Sequence, residues 1–165
     1  MVQAPPPGSK CREGAPFMAD WRDNVLETDA EIRELLATAK RIAVLGIKTE
    51  AQADRPAFYV PKYLADRGVD LVPVPVYYPE VKQILGRPVF RRVADVAGPV
   101  DLVDVFRRSA DVAGHVDDLL AKRPRAVWMQ LGIRNDAAAE ALAKAGILVV
   151  QDRCLMVEWR RLGPR

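Results

Sequence analysis

Four basic residues follow two of the apolar runs in this sequence and could together bind an anion. Lys48 and Arg55 come after the first run, and Arg107 and Arg108 come directly after the third. An arginine presents N–H groups in a planar fork that matches a phosphate or carboxylate, while a lysine adds a compact positive charge. The residues alone therefore indicate an anionic, nucleotide-like ligand.

The loop that opens at Gly46 contains further groups suited to a phosphate. Gly46 would let the backbone approach the ligand, Thr49 offers a hydroxyl donor, and the next helix would add unpaired N–H groups. Glu50 and Asp54 in the same loop oppose anion binding unless they point outward. A purely structural glycine among solvated charges is the alternative interpretation.

The sequence argues against a dinucleotide reductase. The segment after the first apolar run reads Gly-Ile-Lys-Thr-Glu-Ala, which lacks the G-x-G-x-x-G pattern that packs a pyrophosphate against a helix. The second run ends in Pro75, Val76 and Tyr77, where an NAD enzyme needs an acidic residue for the ribose hydroxyls. Both marks of a dinucleotide site are therefore missing.

Residues for nucleophilic or acid–base catalysis are sparse. His115 is the single histidine, and its position on the flank of an apolar helix face, near Asp111 and Asp118, predicts a half-exposed surface side chain. Cys154 has no histidine within its motif and is expected to be an inert packing thiol. From these two residues we predict no catalytic site. No cluster of metal ligands is visible in the sequence, so we predict no metal either.

Strands and helices alternate along the chain. A capping box at 28–31 starts a helix. A second helix begins near Val60, with Pro61 in its first turn. A helical turn near 79–85 and an edge strand at 88–90 follow the second strand, which Pro73 and Pro75 should shorten or distort. Further helices start at 109, 135 and 155. The five main strands are predicted at 41–46, 69–76, 100–106, 126–131 and 147–150.

Near-continuous apolar strands separated by helices predict a parallel sheet covered on both faces. We therefore expect an α/β fold, a Rossmann-like, doubly wound, five-stranded parallel sheet with the order 3-2-1-4-5. Ligands of such sheets bind beyond the carboxyl ends of the strands, where the strand order reverses. With this order, the segment after Gly46 and the segment 131–135 flank the site.

Length and composition are those of an ordinary globular domain. The chain has 165 residues, of which 50% are hydrophobic and 28% charged, with a net charge of +3. This weak and dispersed charge does not predict nucleic acid binding, and no apolar run approaches the roughly 18 residues of a membrane span. Two cysteines, Cys11 and Cys154, form no disulfide framework, so a cytoplasmic setting is expected.

The proline-rich segment 1–17 is predicted to be a disordered tail, and 18–165 a single domain. Because Met18 opens the periodic part of the sequence, a start of translation at that residue is the alternative.

Four sequence blocks carry a resemblance to a known family. The segments RIAVLGI (41–47), VDLVDVFRRS (100–109), AVWMQLGIRN (126–135) and VVQDRCLMVE (149–158) resemble the small bacterial CoA-binding-domain proteins, which are similar to the N-terminal domain of the succinyl-CoA ligase α-subunit. The resemblance spans about 28–162. It implies a Rossmann-like domain that binds coenzyme A as its small-molecule partner, with the phosphates near the loop after the first strand.

The resemblance also implies which residues contact the ligand. Carried over position by position, the binding residues are Gly46, Ile47, Lys48, Thr49, Arg55, Pro56, Val74, Pro75, Val76, Phe106, Arg107 and Arg108.

Ligase activity is not implied, because the phosphohistidine-bearing domain of the ligase is absent and His115 matches nothing in it. The leading hypothesis is therefore a non-catalytic protein that binds coenzyme A or an acyl-CoA. Two alternatives stay open. One is an enzyme of unknown type that uses CoA or another nucleotide, and the other is an interaction module with a vestigial pocket that could work as a homodimer.

Overall fold

The computed structural model describes residues 20–165, so the predicted tail at 1–17 and Met18 lie outside the described residues. The strands are β1 Arg41–Leu45, β2 Asp70–Val74, β3 Gln83–Ile84, β4 Arg87–Pro88, β5 Leu102–Val105, β6 Ala126–Met129 and β7 Leu148–Val150. The α-helices are α1 Asp29–Thr38, α2 Pro56–Ala65, α3 Val116–Lys122, α4 Asp136–Lys144 and α5 Leu155–Leu162. Short 3-10 segments lie at Trp21–Asn24, Glu50–Gln52, Val93–Asp95 and Ser109–His115.

Five of the strands form one parallel sheet in the order β2-β1-β5-β6-β7. The chain runs from β1 through α2 to β2 in one direction, and from β5 through α3, β6 and α4 to β7 in the other. Right-handed crossovers that run in opposite directions place their helices on opposite faces of a sheet. The predicted doubly wound, Rossmann-like α/β class is therefore confirmed.

The predicted strand order 3-2-1-4-5 is wrong at one position. Counted without the small hairpin, the observed order is 2-1-3-4-5, because β5 pairs with β1 from Ile42↔Leu102 to Leu45↔Val105 instead of lying outside β2. The segment 75–101 is long enough to carry the chain from β2, at the edge of the sheet, across β1. The strand that follows this segment, β5, therefore need not pair with β2. The reversal of strand order consequently lies between β1 and β5.

The alternation of side chains along the strands builds a core on each face. Ile42, Val44 and Trp128 belong to the core under α1, α2 and α5, together with Leu35 and Trp159 from the helices. The opposite core joins the other side chains of the same strands to α3 and α4; its members include Leu45, Val103, Met129, Leu119 and Leu142. Both faces of the sheet are thus covered, as the near-continuous apolar strands predicted.

Strand β2 is regular although Pro73 lies within it. The carbonyl oxygen of Pro73 accepts a hydrogen bond from Phe90 N–H (2.9 Å), which lies outside the main sheet. The N–H that Pro73 lacks would also face outward, so its absence removes no bond to β1. The same outer edge is covered by Arg87, whose guanidinium donates to the carbonyls of Leu71 (3.1 Å) and Val69 (3.4 Å). Strand β2 is therefore not distorted at Pro73, but it is shorter than the predicted 69–76 and ends at Val74, before Pro75.

Helix α2 starts earlier than predicted, at Pro56 rather than near Val60. Pro56 occupies the first turn, and Pro61 lies inside the helix. Because Pro61 has no N–H, the carbonyl of Ala57 loses its partner four residues along, and the backbone N–H of Lys48 donates to it instead (3.1 Å). The interior proline thus links α2 to the loop after β1.

Three other predicted elements differ from the structure. The segment 79–85 forms no helical turn; its end joins β4 in the hairpin β3–β4, whose turn residues Leu85 and Gly86 both have positive φ, as tight hairpins require. The predicted edge strand at 88–90 begins one residue early, at Arg87. The helix expected from 109 is a 3-10 segment until His115 and an α-helix only from Val116.

The predicted helix starts at Thr28 and Asn135 are confirmed. Thr28 Oγ1 accepts from the backbone N–H of Glu31 (3.3 Å) and Glu31 Oε2 accepts from that of Thr28 (3.1 Å), which completes a capping box. Asn135 Oδ1 accepts from the backbone N–H of Ala138 (3.0 Å) at the start of α4. Across residues 20–165, no helix is long and apolar enough to cross a membrane.

Candidate functional site

The carboxyl ends of β1 and β5 meet at Gly46 and Phe106. Gly46 has φ +86°, and a Cβ added there would lie 2.3 Å from the carbonyl oxygen of Phe106. The backbone N–H of Phe106 in turn donates to Leu45 O (2.8 Å). Only glycine combines this conformation with this approach. In the structure Gly46 therefore makes room for the backbone at Phe106 rather than for a ligand. This close approach brings the loop after β1 and the Phe-Arg-Arg segment together.

The loop after Gly46 is anchored at several points. Besides the bond from Lys48 N–H to Ala57, Thr49 donates its hydroxyl (2.6 Å) and its backbone N–H (3.1 Å) to Gln52 Oε1. The hydroxyl hydrogen of Thr49 is therefore used within the loop. Glu50 accepts from the backbone N–H of Leu85 (2.7 Å) in the hairpin, so this carboxylate is bound away from the loop cations.

Lys48 and Arg107 converge on the two tyrosines that follow β2. The ammonium of Lys48 lies 5.3 Å from the ring centroid of Tyr77 and 5.7 Å from that of Tyr78, and the guanidinium of Arg107 lies 5.5 Å from the Tyr77 ring. Each separation is within the range of a cation–π interaction. We call Lys48, Tyr77, Tyr78, Arg107 and His115, which contacts Arg107, the cation–tyrosine cluster.

Arg107 and Arg108 are adjacent in sequence but differ in environment. The side chain of Arg107 is 14% exposed, and it donates to the hydroxyl of Tyr77 (3.4 Å) and pairs with Asp111 (3.6 Å). Arg108 is 84% exposed and forms an ion pair with Asp111 at 2.7 Å. The hydrogen bond from Arg107 lowers the pKa of Tyr77, and that from Arg108 lowers the pKa of Asp111. Arg107 is therefore largely buried in the cation–tyrosine cluster, whereas Arg108 lies on the surface.

His115 lies against the same guanidinium. Its Nε2 accepts a hydrogen bond from Arg107 Nε (3.2 Å), and burial together with the charge of Arg107 lowers the pKa of His115. The side chain is half-buried, as expected for a residue on the flank of its helix, but it is an acceptor inside the cluster. Sequence reasoning missed this role, because only the tertiary structure brings His115 within hydrogen-bond distance of Arg107.

The other candidate residues surround this cluster without joining it. Arg55 and Pro56 start α2, and the Arg55 side chain is exposed and forms no hydrogen bond or ion pair within residues 20–165. Ile47 is buried in the core. Val74 O accepts from Gly46 N–H (2.9 Å), which ties the end of β2 to the loop. Besides Gly46, Lys48 and Arg107, the predicted site residues at this end of the sheet are Ile47, Thr49, Arg55, Pro56, Val74, Pro75, Val76, Phe106 and Arg108.

A buried carboxyl group lies one residue before the end of β5. Asp104 Oδ1 accepts from Gln130 Nε2 (2.8 Å), and Oδ2 is buried with no hydrogen-bond partner. Burial raises the pKa of Asp104 to about 8, although the bond from Gln130 acts in the opposite direction. A pKa in this range favours the protonated, uncharged form of the Asp104 carboxyl group at neutral pH.

A groove of about 570 Å³ opens at the same sheet edge, beyond β6 and β7. Its walls include Leu131 and Val157, which are 69% and 43% exposed, and Arg134, Arg153 and Cys154. The segment 131–135, which the predicted strand order placed beside Gly46, lines this groove instead, because β5 separates β1 from β6. Among the described residues, no group of side chains is arranged to hold a metal ion.

The fold and the site define a doubly wound α/β domain with a cation–tyrosine cluster at its switch point. A family model described as a CoA binding domain matches residues 40–160. The chain therefore belongs to the CoA binding domain family, in agreement with the four sequence blocks.

Several known proteins are similar to this chain. YneT of Bacillus subtilis (strain 168), described as an uncharacterized protein, is 34% identical over 128 residues, which span 78% of this chain and 91% of YneT. The Thermus thermophilus protein ID.343 is 43% identical, with a TM-score of 0.75 over 82% of this chain and 99% of its own. A hypothetical protein from Pyrococcus horikoshii OT3 is 32% identical, with a TM-score of 0.73 over 82% and 92%.

Proposed function

We propose that this protein binds coenzyme A or an acyl-CoA at the carboxyl ends of the sheet, without catalysing a reaction on its own. One observation carries the proposal: in a chain of the CoA binding domain family, Lys48 and Arg107 converge at the switch point on an exposed tyrosine. CoA offers both an aromatic base and several phosphates, which match a cluster of cations and π faces.

In the proposed complex, Arg107 and Lys48 bind the phosphates. Neither cation is tightly neutralised: the carboxylate of Asp111 is 3.6 Å from Arg107 and closer to Arg108, while Lys48 faces two neutral rings. An incoming phosphate competes with the weaker cation–π contacts and leaves Tyr77 free to contact the base. Gly46, Ile47 and Thr49 shape the loop, and Arg55 contributes an unpaired charge at the start of α2.

The groove beyond β6 and β7 is the proposed location of the pantetheine arm. Neighbouring strands are about 4.8 Å apart, so the end of β7 lies roughly 10 Å along the edge from the end of β5. An arm that leaves the phosphates at Arg107 would pass Leu131 and reach Val157 and Cys154. The lining is mixed, with Glu27, Asp152 and Glu158 beside the apolar residues, and its apolar side chains, among them Leu131 and Val157, suit a chain rich in methylene groups.

The non-catalytic part of the proposal rests on how the reactive side chains are engaged. His115, the single histidine, uses Nε2 to accept from Arg107, and Cys154 lies in the groove without a histidine beside it. A thiol nucleophile ordinarily requires an adjacent base. The proposal also includes a cytoplasmic setting, where CoA is available and free thiols persist.

Isothermal titration calorimetry with CoA, acetyl-CoA, ATP and NAD tests the proposal. We expect CoA to bind, and Arg107→Ala to weaken binding by roughly tenfold to a hundredfold, the worth of a hydrogen bond to a charged group. Arg108→Ala should change the affinity much less. Arg22→Ala is the matched control, since Arg22 is 69% exposed and paired with Asp20 in another 3-10 segment. No binding of CoA, or equal effects of all three variants, contradicts the proposal.

A further inference from the structure

The hydrogen bond between Arg107 and His115 determines the state of the imidazole. Arg107 Nε carries a hydrogen and can only donate, so His115 Nε2 (3.2 Å away) must present its lone pair. A neutral imidazole with the proton on Nδ1 meets this requirement. A protonated imidazole does not, because both of its nitrogens are donors.

His115 is one of several contacts that fix the Arg107 side chain. The guanidinium donates to Tyr77 from the loop after β2 and pairs with Asp111, and the Cδ methylene packs beside Gly46. Asp111 is shared with Arg108, and the bond to Tyr77 is long at 3.4 Å. The bond to His115 is therefore the shortest polar contact of Arg107, and it is the one that protonation of the imidazole at acid pH removes.

Charged groups from three segments act on the imidazole. Arg107 and burial favour the neutral form, while Asp111 on the 3-10 segment and Asp118 on α3 favour the protonated form. Asp118 is itself occupied, because it accepts from the backbone N–H groups of Val93 (2.8 Å) and Ala94 (2.9 Å). The balance holds the pKa of His115 below its ordinary value, so the acceptor is intact at neutral pH.

We propose that His115 is a positioning residue that makes ligand binding pH-dependent: its neutral imidazole holds Arg107 in the cation–tyrosine cluster, and protonation releases Arg107 and weakens binding. The inference rests on the proposed function, because it concerns how Arg107 is presented to CoA. Protonation would convert the bond into a repulsion between two cations. The guanidinium can then move to Asp111, where Arg108 already lies.

The pH profile of CoA affinity tests the proposal, measured by calorimetry from about pH 8 to about pH 5. For the wild-type protein we expect affinity to fall roughly tenfold toward the acid end. In His115→Gln the side-chain oxygen replaces Nε2 as an acceptor that cannot titrate, so affinity at pH 8 is retained and the profile flattens. His115→Phe has the size but no acceptor and should bind weakly at every pH.

Titration of the ligand is separated from titration of the protein by a second ligand. A terminal phosphate loses its second proton near pH 6, as the 3′-phosphate of CoA does, whereas the pyrophosphate of dephospho-CoA keeps its charge over this range. The difference between wild-type and His115→Gln profiles should therefore be the same for both ligands.

Nuclear magnetic resonance provides a readout that needs no ligand, because the protein has one histidine. At pH 8 the ¹⁵N shifts should show a protonated Nδ1 and an unprotonated Nε2. Arg107→Ala should raise the pKa of His115, since it removes the adjacent positive charge.

Each outcome has a distinct meaning. Binding of CoA with the same pH profile in wild type and His115→Gln overturns the positioning role and leaves the proposed function intact. Affinity that rises toward acid pH in the wild type alone also overturns it, since the imidazolium would then attract the anion directly. Failure of the wild-type protein to bind CoA at pH 8 contradicts the proposed function, and this inference with it.

Discussion

The backbone N–H of Lys48 donates to the carbonyl oxygen of Ala57 across 3.1 Å, a carbonyl that the helix itself cannot satisfy. Its helical partner would be the N–H of residue 61, which is a proline. A proline inside a helix ordinarily destabilises it, but here the freed carbonyl fixes the loop whose lysine reaches the tyrosines. The position of Lys48 thus depends on a residue in the second turn of α2.

Replacing Pro61 with alanine should weaken CoA binding without unfolding the protein. The new N–H can bond to Ala57 O and competes with the Lys48 N–H for that carbonyl, so the helix gains a bond and the bond from Lys48 is weakened. We expect an unchanged or higher Tm, faster hydrogen exchange at the Lys48 amide and several-fold lower affinity. Pro56→Ala, in the first turn of the same helix, is the control and should leave the Lys48 amide protected. Equal protection of that amide in Pro61→Ala and wild type would contradict the prediction.

Gly46→Ala should be far more destabilising than Gly68→Ala. Both glycines have φ +86°, so the conformational cost of about 1–2 kcal/mol is common to both. At Gly68 an added Cβ meets nothing within 4 Å, whereas at Gly46 it meets Phe106 O at 2.3 Å. Urea denaturation should show at least about 2 kcal/mol of additional loss for Gly46→Ala, or failure to fold. Equal losses would show that β1 and β5 separate easily at this point.

The buried carboxyl of Asp104 should make stability fall as pH rises. The folded state holds the proton up to about pH 8 and the unfolded state releases it near pH 4, so the stabilisation is complete below the unfolded pKa and is lost as pH approaches the folded one. The slope attributable to this group is at most about 1.4 kcal/mol per pH unit.

Asp104→Asn cannot ionise and should flatten the dependence between about pH 5 and about pH 8, as measured by urea denaturation. The exposed carboxylate of Asp54 supplies the charge control, Asp54→Asn, which should leave the slope unchanged. A stability difference between Asp104→Asn and wild type that is constant with pH would count against a neutral Asp104.

Val157→Asp should weaken binding of CoA but not of adenosine 3′,5′-bisphosphate, which lacks the pantetheine arm. A carboxylate in place of the apolar Val157 side chain in the groove must be desolvated when the arm enters, at a cost of roughly tenfold in affinity. Ala137→Asp adds the same charge to the first turn of α4 outside the groove and serves as control. If both ligands lose affinity equally, the arm lies elsewhere.

The elements of this fold could be predicted largely from local patterns. Apolar runs marked all five main strands, and the side chains at Thr28 and Asn135 marked two helix starts, because capping and burial depend on neighbouring residues. The observed start of α2 at Pro56 differs from the predicted start near Val60 because a proline such as Pro61 usually begins a helix rather than interrupts it. The helix tolerates Pro61 because Lys48, thirteen residues earlier in the chain, donates to the carbonyl that the proline leaves without a partner.

The sequence by itself determined the fold class, the family and the presence of Gly46, Lys48 and Arg107 at the ends of strands, because these follow from periodicity and short motifs. Tertiary structure decided that β5 pairs with β1, since apolar parallel strands carry no local mark of their neighbours and the segment 75–101 is long enough for either arrangement. The same pairing turns Arg107 toward Tyr77 and His115 while Arg108 faces solvent. Side chains distant in sequence meet only after the strands have paired, so no pattern in the sequence alone marks the cation–tyrosine cluster.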